Sequence, residues 1–570
     1  MRPPPSQRLN PCNESDATEG ATGVSYNETV PEERPALLCA AVSATALLTV
    51  CESFCDYAHV PGLLSGLAEV LADTKHVAVE AREHAARALK NAAVNDQMRE
   101  MLVGVGAIGA MVKACRVSDS LLLQEQAARA LGNMAVHDAN EQRVVDAGGT
   151  TALLALLAST DEPLLDAALG ALANLVGHPE MRAIFVAEGG VRLLRLPMET
   201  GREVLYKQAG WILASLAVDP GLGKHVIAQG GLTPLVLYAS SDSELYQEEA
   251  AWALANLSSA AVNAEPMAEA GALQRLLELA ASPNENVAMQ AVWALANLAV
   301  HDKLKLRLSD LNAVAKLLRL LPARADELTE KGEQALTQIV RCVANLVVAS
   351  ENRQRVIECD GLPALLRSLE CPYDSVKEAA TRAFVNLSFE SEYAHKIMLA
   401  GGLPAIVRLL SSPAQRVQQE AVWAIVNLSV CPENEAVLIE EQVLVPLVSL
   451  LNSDSRVIQE QAAWALANLT SNPDNKMKIL QLGALDRLRA LHLSPSDEVQ
   501  AASTKVLASL GEILTPSSRR AISSRKSHGT TPAAVGSSAR RSSPLVAQGP
   551  DEEGMGASSR LASDLGSFKS

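Results

Sequence analysis

Aromatic side chains supply only 3% of this 570-residue chain, too few for the aromatic and β-branched packing of sandwiches and barrels. Its nine cysteines (Cys12, Cys39, Cys51, Cys55, Cys115, Cys342, Cys359, Cys371 and Cys431) are odd in number and scattered, with no Cys-x-x-Cys pair. That spacing argues against a disulfide framework or zinc site and fits reduced thiols. No Gly-x-x-x-x-Gly-Lys-[Ser/Thr] loop, His-x-x-x-His pair or nucleophile elbow occurs, so no enzyme is expected, and no cofactor or metal. Basic charge is also short. Asp and Glu outnumber Lys and Arg by 65 to 49, a net charge of -16, which disfavours direct nucleic-acid binding. The uncharged run Pro35 to Cys51 is interrupted by Ser and Thr and is short for a membrane span. Residues 1–35 are polar and proline-bearing and do not read as a secretory signal.

What the chain has is alanine, leucine and a period. The pentapeptide Ala-Leu-Ala-Asn-Leu stands at 253–257, 294–298 and 465–469. Its asparagine continues through Asn91, Asn133, Asn174, Asn256, Asn297, Asn345, Asn386, Asn427 and Asn468, with Ser215 and Ser509 completing a ladder of eleven positions. Most steps are 41 residues. A fixed period near 40 residues signals a solenoid, whose units bury their apolar faces only against neighbours.

Fifteen residues beyond each of the first ten ladder positions stand Gly106, Gly148, Gly189, Gly230, Gly271, Asn312, Asp360, Gly401, Gln442 and Gly483. Glycine, with Asn and Asp next in tolerance, suits a left-handed residue between a first helix and a second that crosses it. Gln442 does not fit that reading. A third helix then carries the ladder, as in Asp374 to Leu387. At 100° per residue, positions -5, -2, +1 and +2 relative to the ladder form an apolar stripe, while -8, -4 and 0 point to the opposite side. The asparagines are therefore expected outside the buried stripe.

Four residues before the ladder stand Arg87, Arg129, Gly170, Trp211, Trp252, Trp293, Arg341, Arg382, Trp423, Trp464 and Lys505, a row holding every tryptophan of the protein. Tryptophan is normally sequestered, so its concentration on the face away from the core points to binding. Asparagine amides offer a donor and an acceptor to an extended peptide backbone. Indole faces between them can take aliphatic stems and cationic heads. The candidate groove residues are Trp211, Trp252, Asn256, Trp293, Asn297, Arg341, Asn345, Arg382, Asn386, Trp423, Asn427, Trp464 and Asn468, with Glu249 and Glu420 as acidic neighbours favouring basic ligands. The alternative role for the asparagines is amide bonding from repeat to repeat, with no ligand. His137, His178 and His301, four beyond the ladder, are too far apart to share an ion and read as helix-end residues near a C-terminal dipole.

The Gly-x-Pro-x-Leu-Leu stretch at 361–366 and Ala-Ala-Trp-Ala-Leu-Ala-Asn-Leu at 250–257, set in this period, resemble the armadillo repeat family. The resemblance implies an all-α fold, a right-handed α-solenoid of three-helix units whose third helices line a concave groove. The Trp-x-x-x-Asn pairs also look like the cargo-binding arrays of importin-α, although residues 1–35 contain no basic stretch like that family's carrier-binding segment. The implied role is a non-enzymatic scaffold or adaptor holding extended segments of other proteins. An importin-α-like receptor for basic nuclear signals, or a substrate-recruiting subunit of a ligase complex or membrane tether, are the alternatives.

The expected organisation is a disordered segment at 1–35, an atypical capping helix at 36–58, a solenoid of about eleven repeats at 59–514 with an insertion near 321–332, and a basic Ser-rich disordered tail at 515–570. The tail has eight basic and four acidic residues, +4, and residues 1–35 have three and six, -3, so the total of -16 leaves -17 on the solenoid. Opposite charge and a flexible tether suggest docking of Arg519–Lys526 or Arg540–Pro544 into the chain's own groove. Asn256, Asn386, Asn427 and Asn468 each open an Asn-x-Ser/Thr triplet inside an expected helix. Secretion would expose these as glycan acceptors, so a cytoplasmic address is expected, or else a nuclear one.

Overall fold

The computed structural model describes residues 34–48, 62–117, 120–200, 202–219, 221–322 and 328–511. The expected tail at 515–570 and residues 1–33 of the expected disordered segment therefore lie outside the described residues, whereas Arg34 and Pro35, expected in that segment, open a helix. Every regular element among those described is helical. Packing divides the chain into two units, residues 1–110 and 111–570.

In the first unit, Arg34–Leu48 packs against Val79–Ala92. Asn91 Nδ2 donates to the carbonyl of Ala46 at 3.3 Å. Gly62, with φ 92°, then opens helix Leu63–Ala72. Arg34–Leu48, expected as an atypical cap, thus holds the place of a third helix, and Gly62 lies fifteen residues beyond Leu47. Only the asparagine is missing, which is why the ladder did not extend this far.

The second unit repeats one arrangement. Ser350–Glu358 runs into Leu362–Leu369, and Asp374–Leu387 follows. The long third helices are Leu121–Met134, Glu162–Leu175, Glu203–Ala217, Glu244–Ser258, Glu285–Leu298, Glu330–Leu346, Asp374–Leu387, Gln415–Leu428, Arg456–Leu469 and Asp497–Ser509. Each packs on the next in chain order. Their alanine and leucine faces are buried, as at Ala250, Ala253, Leu254 and Leu257. Alanine at these contacts lets the helix axes approach closely.

All ten residues fifteen beyond the ladder are left-handed, including Asn312 at φ 57°, Asp360 at 53° and Gln442 at 58°. Gln442 therefore obeys the backbone rule and violates only the residue preference. Its N–H donates to Ile439 and its carbonyl accepts from Val445, so the turn holds it where glycine would be cheaper. The seven extra residues after Asn297 are partly absorbed by helix, since Glu330–Leu346 has 17 residues where most long helices have 14. Thr329 caps it by accepting from Gly332 N–H, and donates to Glu285 of the preceding long helix. Residues 323–327 lie outside the described residues.

The long helices end inside the unit, so their last carbonyls need partners. For Glu330–Leu346, Asn352 Nδ2 donates to Leu346 O at 3.0 Å, and Arg353 donates to Val347 O and Val348 O at 3.1 and 2.8 Å. These asparagine and arginine positions are seven and eight beyond the ladder. Asn263, Asn434 and Asn475 cap Leu257, Leu428 and Leu469 in the same way, and Arg182 takes Val176 and Gly177. At the last long helix the backbone does the work instead. Gly511, at φ 76°, donates its N–H to Ala508 O.

Replacing Gln442 with Gly is expected to stabilise the fold by about 1 kcal/mol through relief of the left-handed penalty, and Gly401→Gln to destabilise it by a similar amount. Urea denaturation of the two variants beside the parent protein, followed by circular dichroism, measures both. A Gln442→Gly variant less stable than the parent would contradict the assignment.

Candidate functional site

The face of interest is formed by the long helices of the second unit, on which ladder position 0 and position -4 alternate by one helical turn. The structure corrects the expected placement of the asparagines. Asn297, Asn345 and Asn386 are buried, the last only 2% exposed, and the others are partly exposed. The cause is geometric: successive long helices pack side by side, so position 0 falls in the seam between them.

In that seam the amide works backwards along the chain. Asn174 Nδ2 donates to Gly132 O at 3.0 Å, Asn345 to Ala296 O at 3.0 Å and Asn386 to Ala344 O at 2.9 Å. Every acceptor is the residue before the preceding ladder position, one of the carbonyls that its own helix leaves unpaired. Where a hydroxyl stands two beyond the ladder, it enters the bond. Ser258, Ser388 and Ser429 donate to the carbonyls of Ala255, Val385 and Val426. The next asparagine donates to the hydroxyl: Asn297 to Ser258 at 3.1 Å, Asn427 to Ser388 at 3.4 Å and Asn468 to Ser429 at 3.1 Å. Three of the four Asn-x-Ser/Thr triplets are thus relay stations between helices, a use the sequence pattern alone did not show.

Asn256 departs from the rule. Its Nδ2 donates to Trp252 O of its own helix at 2.9 Å, a carbonyl that the helix's own i→i+4 ladder already uses. Its predecessor on the ladder is Ser215, so the break in the asparagine row and the break in the relay coincide. Asn386 has the opposite peculiarity: its Oδ1 is buried without a partner.

Position -4 carries the tryptophans, and Trp211, Trp252, Trp293, Trp423 and Trp464 are all partly exposed. Between them the arginines are engaged. Arg129 bridges Glu125 and Asp166, both at 2.9 Å, and Arg382 bridges Glu378 and Glu420 at 3.3 and 2.8 Å. Arg341 is partly exposed and also interacts with neighbouring groups. The charge of Arg129 is thus met by two carboxylates. Trp423 Nε1 is buried without a partner. Lys505 Nζ lies over the Trp464 ring, 4.8 Å from its centroid.

The two acidic neighbours are placed differently from open carboxylates that would attract a basic ligand. Glu420 is 5% exposed and held by Arg382, and burial raises its pKa. Glu249 is 7% exposed and accepts from Tyr238 Oη. Tyr206, Tyr238 and Tyr246 cluster around it, with ring centroids 5.2 to 5.9 Å apart. Gly210 makes room for this cluster, since a Cβ there would sit 2.3 Å from the Tyr238 ring. Burial pushes the Glu249 carboxyl up to about 7, against the opposing hydrogen bond from Tyr238. The carboxylates nearer the indoles are Glu248 and Glu460, one turn before Trp252 and Trp464, and both are partly exposed. Asn286 donates to Glu248 at 2.7 Å, and the Trp464 side chain hydrogen-bonds Glu460, whose pKa burial nevertheless raises.

His137 and His178 cap the N-termini of the following first helices, and Ala139 N–H donates to His137 Nδ1. Both stand at the start of the next helix, in place of the C-terminal dipole role expected of them, but only the His137 ring accepts there; His178 Nε2 instead meets Gln142 at 2.8 Å. Among the described residues no group of three or more His, Cys, Asp or Glu could hold a metal, and no helix is long and apolar enough to cross a membrane.

The Armadillo/beta-catenin-like repeat model matches residues 95–136, 137–177, 224–259, 262–300, 349–389, 397–430 and 431–471. Among solved structures, a crystal structure of an engineered protein is 27% identical, with a TM-score of 0.52 over 79% of this chain and 98% of that one. A chain from a study of the phosphorylation switch controlling the interaction between cadherin and beta-catenin is 18% identical, with a TM-score of 0.70 over 84% of this chain and 98% of that one. No curated protein sequence matches the chain.

Two outcomes follow from the geometry. Asn345→Ala leaves the Ala296 carbonyl without its donor and is expected to cost about 1–3 kcal/mol, whereas Asn256→Ala, which breaks no bond between repeats, should stay within about 0.5 kcal/mol of the parent. Chemical denaturation distinguishes them, and equal losses would contradict the distinction. For Glu249, the folded pKa of about 7 lies above its ordinary 4.5, so the native state holds a proton that the unfolded chain releases. The associated stability is present below pH 4.5 and is lost as the pH rises towards 7, by on the order of 3 kcal/mol. Glu249→Gln should flatten that part of the stability profile, and an unchanged difference from the parent between pH 4.5 and 7 would refute the assignment.

Proposed function

We propose that this chain, whose matched segments are armadillo repeats, is a non-enzymatic scaffold or adaptor that holds extended segments of other proteins along the face of its long helices. The observation that carries the reading is the run Trp211, Trp252 and Trp293, partly exposed at one register of three adjacent helices, with Asn256 between them uncommitted to a neighbouring repeat. An extended strand rises about 3.3 Å per residue, so indoles on helices spaced 8–10 Å apart meet roughly every third side chain. Asn256 supplies a donor and an acceptor for the main chain between two of these slots. Asn297, Asn345, Asn386, Asn427 and Asn468 commit amide N–H to the relay, and Asn297, Asn345 and Asn386 are buried, so of these five only Asn427 and Asn468 are partly exposed to a ligand. The second Trp run, Trp423 and Trp464, flanks Arg382 and its carboxylates. In this reading Arg341 and Arg382 separate two binding stretches and do not form slots themselves.

The solenoid's net charge of -17, together with Glu248 and Glu460 beside indoles, favours a basic segment, as in an importin-α-like receptor. The basic tail is a candidate occupant of the same face. A cytoplasmic or nuclear location accords with the free thiols at Cys115, Cys342, Cys371 and Cys431 and with the burial of Ser258, Ser388, Ser429 and Thr470, which hides the glycan triplets in the fold.

Titration with a Lys-rich peptide is expected to give saturable, salt-sensitive binding that Trp252→Ala plus Trp293→Ala weakens at least tenfold, about 1.4 kcal/mol. Deleting residues 515–570 should tighten it if the tail competes. Absence of peptide binding by the parent and by the tail deletion alike would exclude the basic-ligand reading.

A further inference from the structure

Trp464 already has a cation on it. Lys505 occupies position -4 of the last long helix, the place that tryptophan or arginine fills in most repeats, and its ammonium sits 4.8 Å from the Trp464 ring centroid. The Glu460 carboxyl, one turn earlier on the same helix, also interacts with the Trp464 side chain. A carboxylate, an indole and an ammonium are thus combined as a lysine-binding slot would combine them, and the chain provides the lysine. Elsewhere in the row two arginines pair with carboxylates: Arg129 with Glu125 and Asp166, Arg382 with Glu378 and Glu420.

We propose that Lys505 is a built-in occupant of the Trp464 slot, that it removes this slot from the binding face, and that the slot accepts the side chain of a lysine or arginine from an extended peptide when Lys505 is gone. The inference rests on the reading of the face as a peptide site and assigns the ligand class of one slot within it. Lys505 is otherwise exposed on its helix, so its removal leaves no cavity in the core. The lysine stem and ammonium have the rotamer freedom to leave the ring, which makes the occupancy a competition in place of a permanent closure.

The test is a double-mutant cycle on the full chain with a hexalysine peptide as probe, read by calorimetry. Lys505→Ala is expected to tighten binding about two- to fivefold, in the range of an exposed cation–π contact. The gain must disappear when Trp464→Ala is also present, because simple removal of a positive charge would tighten binding equally with or without the indole. No gain in Lys505→Ala, or a gain that persists without Trp464, overturns the proposal while leaving peptide binding by the rest of the face intact. Failure of both the parent and Lys505→Ala to bind hexalysine removes the basic-peptide reading and the proposal together. A direct readout needs no ligand: the Lys505 ε-methylene protons should be shifted upfield by the ring current and return to ordinary values in Trp464→Ala, and ordinary values in the parent would refute the contact.

Discussion

Each long helix of this protein ends against other helices, and the carbonyls of its last turn must be paired there or left buried at a cost of about 1–3 kcal/mol apiece. Much of the sequence pattern answers that requirement. The carbonyl before the ladder position is met by an asparagine of the next repeat, directly or through a serine hydroxyl. The one after the ladder is met by an asparagine six residues further along the same repeat. The next two are met in several repeats by an arginine. Hydrophobic burial supplies most of the favourable energy of a stack like this, but it is non-directional. The amide and guanidinium bonds set the register.

That division decides which groups are left for a partner. An asparagine that caps the helix before it has committed amide N–H to the fold, and the regular spacing of such residues along this chain is then a statement about packing. The tryptophans stand partly exposed at a position that Gly170 fills in another repeat, which is why the tryptophan row carries the functional argument and the asparagine row carries the structural one. Asn256 stands apart from both, because its amide donates within its own helix.

The period, the three-helix unit and the left-handed turn positions were legible in the sequence because each rests on a local rule with a strong residue signature. The Gln442 turn obeyed the rule against its residue type, since the surrounding helices fix its backbone more firmly than one unfavourable side chain can oppose. The first long helix, Arg34–Leu48, was obscured by the lack of an asparagine, although Gly62 fifteen residues beyond Leu47 was a usable sign. The seam position of the ladder was not legible. A single-helix projection at 100° per residue divides residues into buried and outward, and it contains no information about a neighbour lying alongside. The burial of Glu249 was hidden for a related reason, since its partners Tyr206 and Tyr238 come from other helices and the space for Tyr238 comes from Gly210.

The backward direction of the asparagine bonds gives the stack a polarity in time. A repeat leaving the ribosome has its own second asparagine and arginine to close part of its long helix, but the carbonyl before its ladder position waits for the following repeat. Folding during synthesis would therefore trail the emerging chain by about one repeat, some 41 residues, until Gly511 closes Ala508 with a main-chain bond. The turn at Gly511 thus gives the last described long helix a main-chain donor for the carbonyl that an asparagine of the following repeat meets elsewhere.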